Sequence, residues 1–316
     1  MSIFSTVPGQ QDHHGIAFPS IVSGSGDLAE FISDHKAEIE GALASTGTVL
    51  FRGFNVPSPQ QFDAAVTAYG EDGFSYAESL SNAVRVNVTP RVFTANEAPP
   101  DVEIFLHHEM AQTPIYPDKL FFYCEISPER GGATPVCRSD IVMERIAAAR
   151  PDLADKFETL GLRYTHTMPN APDPESGQGR SWRDTLSVTD QQTAEARLTK
   201  LGYEWQWLDG GNLRVTSPVL DAVKSLADGR KVFFNQLIAA FRGWSDARND
   251  PNKSITFGNG DPIDLGDMKT IIEIADQVTY DLQWQAGDVA LLDNFQVMHG
   301  RRPFEGKRRV LASLIG

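Results

Sequence analysis

Apolar residues at Leu28, Phe31, Ile32, Ile39 and Leu43 recur at roughly helical spacing, which predicts a helix over 27–44. The apolar run at 47–53, framed by Gly47 and Gly53, reads as a short buried strand. Ser58 as N-cap, Pro59 in the first turn and Gln61 closing a capping box then start a helix that runs to about residue 69. Between 84 and 136 the texture turns toward strands: 84–88 alternates apolar and polar side chains, and 119–124 is apolar almost throughout. Two helices follow, over 139–149 and 151–160, separated because Pro151 cannot continue the first. The stretch 168–180, rich in Pro, Gly, Asn and Asp, reads as a loop. Beyond it come a helix over 189–201, strands over 203–208 and 231–235, a polar loop over 246–261 and a helix over 268–277. Strands over 278–283, 289–292 and 310–314 close the chain. The strands gather around two histidine-bearing stretches, at 107–109 and 299, and the helices lie outside them. That arrangement predicts a mainly β architecture with helical insertions (α+β), a β-sandwich or jelly roll and not an alternating βαβ sheet.

With 316 residues, 41% of them hydrophobic, the chain can bury a large core and is globular. Two domains would fit this length, but sandwiches and barrels of this size often form one. The net charge of −14 argues against nucleic acid as a partner and against an anionic membrane surface. Two cysteines, Cys124 and Cys137, are too few for a disulfide scaffold or a structural zinc cluster, so both are expected reduced and buried. The N-terminal stretch lacks a basic region followed by an apolar one, and no apolar run is long enough to span a bilayer. A cytoplasmic location is the expectation.

The candidate chemistry lies in His107-His108-Glu109 and in His299, followed ten positions later by Arg309. A His-x-carboxylate pair with one distant histidine is the ligand set of the 2-His-1-carboxylate facial triad, which holds ferrous iron and leaves positions open for oxygen chemistry. On a strand, residues i and i+2 share a face, so His107 and Glu109 could serve one ion while His108 points away. His299 follows the strand-like 289–292. His13, His35 and His166 have no carboxylate two residues away, and the Asp12–His14 pair lies in a segment without strand pattern. An enzyme that uses 2-oxoglutarate needs a guanidinium for the far carboxylate of that co-substrate. Arg308 and Arg309 face opposite ways on a strand, Arg308 with Val310 and Ala312, Arg309 with Leu311 and Ser313; the pattern alone leaves open which side looks inward. Dinucleotide, Walker and nucleophile-elbow motifs are absent, and so is a His-Glu-x-x-His zinc helix, because Gln112 stands where its second histidine belongs.

At these residues the sequence resembles the taurine-dioxygenase superfamily and, within it, the clavaminate-synthase-like branch. The resemblance runs from about residue 46 to the C-terminus, in ordered blocks at 93–99, 106–112, 119–124, 131–135, 234–235, 287–288, 293–294, 299–304 and 308–311. It implies a double-stranded β-helix (jelly roll) forming a single 2-oxoglutarate/Fe(II) oxygenase domain over 1–316, with a helical and loop insertion at about 139–230. It further implies His107, Glu109 and His299 as iron ligands, with Arg309 and Thr134 holding the distal carboxylate of 2-oxoglutarate. Many members carry Asp where this chain has Glu109, a change that leaves the iron site intact. An acidic ligand at this place also argues against halogenation, since related halogenases carry a small residue there. The implied reaction is hydroxylation of an unactivated C–H bond, with O2 consumed and 2-oxoglutarate converted to succinate and CO2. The implied substrate is an amino acid or related small carboxylic acid, free or tethered to a carrier protein, in natural-product biosynthesis. Asn96, Gln112 and Arg183 are candidate substrate residues, with Arg85, Arg91 and Arg242 as further candidates to meet a carboxylate. Desaturation or oxidative cyclisation at the same iron site is the alternative reaction, and a catalytically silent jelly-roll binding protein is the alternative of another class. Oligomeric state cannot be read from the sequence.

Overall fold

Leu120, Phe122 and Cys124 point to one side of their strand and Phe121 and Tyr123 to the other, and all five are buried, so the apolar run at 119–124 is covered on both faces. The computed structural model describes residues 2–74, 79–80, 85–95, 98–173, 179–243 and 254–316. Ten of its strands form two sheets: β1 (Ser20–Ser23), β2 (Thr48–Arg52), β3 (Phe93–Thr94), β4 (Ile104–His107), β5 (Lys119–Ile126), β6 (Thr134–Arg138), β7 (Thr279–Leu282), β8 (Val289–Asp293), β9 (Val297–Arg301) and β10 (Arg309–Ile315). The larger sheet has the order β1-β2-β8-β5-β10-β3 and the smaller β7-β6-β9-β4. Apart from the parallel β1–β2 pair, neighbours run antiparallel.

The sheets pack face to face. Leu120, Phe122, Ala290, Val310 and Ala312 of the larger meet Val136, Leu282 and Val297 of the smaller. The larger sheet's other face puts Phe121, Tyr123, Leu291 and Leu311 against Ile32, Ile39, Leu43 and Phe62 of the N-terminal helices. Each fully buried side chain of this size contributes about 1.5–3 kcal/mol. The smaller sheet is backed by the helices Ser139–Ala149, Pro151–Leu160 and Leu265–Gln277, whose apolar faces gather with Leu106 and Met298. The chain is thus mostly β with helices, and the site-bearing strands β4, β6 and β9 are held between two apolar layers.

Several elements depart from the expectation. The helix over 27–44 is two, Leu28–Asp34 and Lys36–Thr46, broken at His35. The break lets the first pack chiefly on the helix Pro59–Tyr69 and the second on β2. Ser58 stands at the N-cap, but its hydroxyl contacts Gln61 and caps no backbone N–H. Of 84–88, residue 84 lies outside the described residues, and 85–88 form no strand beyond an isolated bridge from Asn87 to Phe93. The strand expected over 231–235 stops at Val232, because Phe233–Gln236 turns toward the histidine cluster instead. A strand, Ile255–Phe257, falls inside the expected polar loop and pairs with Leu162–Met168, so the sheet built by the intervening segment reaches beyond residue 230.

Both cysteines are buried and unbridged, and burial pushes their thiols up to about 12. Among the described residues no helix is long and apolar enough to cross a membrane.

Candidate metal centre

His107 ends β4 and stands directly across from His299 on β9, with the ring centres 4.4 Å apart. His107 Nδ1 lies 2.8 Å from the Phe105 carbonyl. A carbonyl can only accept, so Nδ1 carries the proton and Nε2 keeps its lone pair. Burial, and then the neighbouring His299, lower the His107 pKa to about 4, so the imidazole is neutral near pH 7, as a metal ligand must be.

Glu109 does not continue the strand. It lies in a turn that places Met110 at φ +59°, and its backbone is gripped by Asn294. Asn294 Oδ1 accepts from Glu109 N at 2.7 Å, while Nδ2 donates to the Glu109 carbonyl at 3.0 Å and to the Pro117 carbonyl at 2.8 Å. Strand alternation therefore does not bring Glu109 beside His107: a turn fixed by an amide fork aims the carboxylate. Glu109 Oε2 lies 3.9 Å from His107 Nε2 and 3.6 Å from His299 Nε2. Burial alone would raise the Glu109 pKa, but Arg85 and the two imidazoles bring it down to about 2.

His107, Glu109 and His299 are the one group of three His, Cys, Asp or Glu among the described residues with ligand atoms close enough for a shared ion, all within 4.8 Å of one another. Two imidazole nitrogens and one carboxylate oxygen suit ferrous iron. His108 points the other way. Its Nδ1 contacts the Asn294 carbonyl, and its Nε2 lies 2.6 Å from Ser139 Oγ and 3.0 Å from the Phe233 carbonyl. Gln236 Nε2 donates to the His108 carbonyl at 2.8 Å, so the backbone between the two ligands is fixed from several sides.

The structure places the two arginines of the pair on different sides. Val310 and Ala312 face the smaller sheet, and Arg308 shares their side; Arg309 shares the side of Leu311, which faces the N-terminal helices. Arg309 is 44% exposed and its Nη1 lies 2.6 Å from Glu125 Oε2, beside a bulge between Arg309 and Val310. Arg308 donates through Nε to the Gly132 carbonyl at 3.0 Å, stands over the Phe304 ring, and meets no carboxylate among the described residues. Burial, and next Arg301, lower its pKa to about 10. Thr134, two residues beyond Gly132 and buried, accepts from Trp284 Nε1 at 2.9 Å. Indole nitrogen only donates, so the Thr134 hydroxyl keeps its own proton for another acceptor. A half-buried guanidinium and a buried hydroxyl, both lacking an acidic partner, fit a carboxylate.

The candidate substrate residues fare unevenly. Asn96 lies outside the described residues. Gln112 has a buried Oε1 without a hydrogen-bond partner. Arg183 stacks on Trp182 at 4.0 Å and donates to Asn170 and Thr189, beside the separate apolar cluster around Trp182 and Leu198 and not among the three converging side chains. Arg91 donates to the Glu71 carbonyl, and Arg242 covers Phe105 and pairs with Asp276. Arg85 is the member of that group that reaches the centre, 3.1 Å from Glu109 Oε1. The sequence reading missed the roles of Asn294, Gln236 and Trp284; Asn294 alone sat in a recognisable block, the Asp293-Asn294 pair.

His107 and His166 have pKa values near 4 and His108 near 3, each lowered first by burial. In the unfolded chain these imidazoles take up protons near 6.5, well before they do so in the fold. Their contribution to stability is therefore complete above about pH 6.5 and falls as pH drops toward 4. With chelator present to remove metal effects, the unfolding free energy from urea titration is expected to fall steeply between pH 7 and 4.5, by on the order of 3 kcal/mol or more. A flat unfolding free energy across that range contradicts the buried neutral imidazoles.

A centre of two imidazoles and one carboxylate suits a non-haem iron oxygenase. The family described as taurine catabolism dioxygenase TauD, TfdA family matches residues 17–314, and the chain belongs to it. The chain is 39% identical over 320 residues to a clavaminate synthase-like protein of Arabidopsis thaliana, covering 98% of this chain and 96% of that one. It is 28% identical over 316 residues to the dapdiamide synthesis protein DdaC of Enterobacter agglomerans, covering 95% and 92%. Among solved structures, AAD-2 in complex with Mn(II) and N-oxalylglycine superposes with a TM-score of 0.54 at 17% identity, over 94% of this chain and 93% of that one. An α-ketoglutarate-dependent 2,4-D dioxygenase, so described provisionally, from Burkholderia xenovorans gives 0.53 at 16%, with the same coverage. The protein is an Fe(II)/2-oxoglutarate-dependent dioxygenase that acts with O2 on a small molecule.

Proposed function

We propose that His107 and His299 through Nε2, and Glu109 through Oε2, hold the iron, and that Arg308 with Thr134, not Arg309, receives the distal carboxylate of 2-oxoglutarate. The observation that carries this reading is the convergence of the three ligand atoms within 4.8 Å, with the His107 tautomer set by the Phe105 carbonyl. The two sheets are read as a jelly roll, a double-stranded β-helix, in one domain over 1–316 with the segment at about 139–230 inserted. Bound iron supplies the oxygen activation that couples decarboxylation of 2-oxoglutarate to succinate with oxidation of a substrate C–H bond. The protein's own share is placement: Arg308 and Thr134 fix one end of the co-substrate, and Asn294, Gln236 and Ser139 hold the ligand-bearing backbone and His108 against shifts that would spoil alignment.

The reaction we assign is hydroxylation of an amino acid or related small carboxylic acid, free or carried on a partner protein, in natural-product biosynthesis. A relative named for dapdiamide synthesis supports the biosynthetic setting. A cytoplasmic location accords with two unbridged thiols. The test is oxygen uptake and succinate formation across a panel of amino acids, with product mass read in parallel. An added oxygen atom is expected in the product. A product lighter by two hydrogens instead assigns desaturation or ring closure, and succinate formation unaffected by every amino acid tested overturns the substrate class.

A further inference from the structure

Glu109 gives its two oxygens to different partners. Oε2 faces the imidazoles, 3.9 Å from His107 Nε2 and 3.6 Å from His299 Nε2, whereas Oε1 lies 3.1 Å from Arg85 Nη2. Arg85 is held in turn: its guanidinium lies 5.4 Å from the Phe93 ring centre, and Nη1 reaches the Thr94 carbonyl at 3.5 Å. Phe93 and Thr94 form β3, paired to β10, so this side chain spans from the edge of the larger sheet to a ligand placed by the smaller. Its side chain is 10% exposed and that of Glu109 7%, so the pair is shielded from bulk water.

We propose that Arg85 is the positioning residue of the metal centre, taking Oε1 so that Glu109 offers a single oxygen to the ion. The inference rests on the assignment of Glu109 as a ligand. Glutamate has one more rotatable bond than aspartate, and a carboxylate with both oxygens available can grip an ion with both. A two-oxygen grip would occupy a coordination position that co-substrate and O2 require. A guanidinium on Oε1 removes that freedom and turns Oε2 toward the imidazoles.

The test titrates Mn(II) into the metal-free full-length protein by calorimetry, in the parent and in Arg85→Met, Arg85→Gln, Arg85→Lys and Glu109→Ala, with folding checked by thermal denaturation. The anaerobic Fe(II)/2-oxoglutarate absorption band is recorded alongside. Arg85→Met is expected to move the band, because both Glu109 oxygens become free to bind the ion, while Mn(II) binding stays at least as tight as the parent's; Arg85→Gln should move the band less and Arg85→Lys restore it toward the parent. If the Met variant does not fold, Arg85→Gln decides: a moved band supports the proposal, and the parental band overturns it. An unmoved band in Arg85→Met overturns the proposal while Glu109→Ala still abolishes binding. Unchanged binding in Glu109→Ala instead overturns the ligand assignment itself.

Discussion

Replacing His299 with alanine is expected to weaken Mn(II) or Fe(II) binding by more than about 100-fold, because even groups one step removed from a metal cost 10–100-fold. Succinate formation should fall with it to the level of metal-free protein. The fold should survive: His299 lies against Phe122 and His107, and its Nδ1 has no hydrogen-bond partner to lose. Glu109→Ala should have the same effect on metal, with an additional penalty, since it leaves Arg85 beside two imidazoles without its carboxylate. The measurement is calorimetric metal titration paired with circular dichroism. A folded His299→Ala protein that binds the ion as the parent does removes His299 from the ligand set.

The second large effect separates two adjacent arginines. Arg308→Ala should weaken 2-oxoglutarate binding by about 3 kcal/mol, roughly 100-fold, because a buried carboxylate would lose its charged partner. Arg309→Ala removes an exposed ion pair with Glu125 and should change binding by about 1 kcal/mol or less. Binding is read anaerobically in the presence of metal, so turnover does not intervene. Equal losses in both variants, or a loss confined to Arg309, would contradict the inward face assigned to Arg308.

That contrast shows what the sequence could and could not tell. The helices over 139–149 and 151–160 were legible to the residue, because Pro151 marks the boundary in the covalent chain itself. The three converging side chains were legible because their types are rare in combination and occur in family order. The choice between Arg308 and Arg309 was not, since alternation gives two faces and only the partner sheet says which is inside. Resemblance pointed to Arg309, whereas the packing of Val310 and Ala312 with Val136 and Leu282 puts the side of Arg308 toward the smaller sheet. Asn294 was hidden for a related reason: it stabilises Glu109 through backbone atoms 185 residues away, which no local pattern records. The short strand Ile255–Phe257 was lost in a polar stretch because its partner, Leu162–Met168, lies far back along the chain.

The central claim is that three distant residues assemble one ferrous site that also takes 2-oxoglutarate. Anaerobic addition of Fe(II) and then 2-oxoglutarate to the metal-free protein tests it most directly. A weak visible absorption band that saturates at one iron and one 2-oxoglutarate per chain, and is missing in His107→Ala, is the predicted result; no band in the folded parent protein at saturating metal and co-substrate would contradict the account.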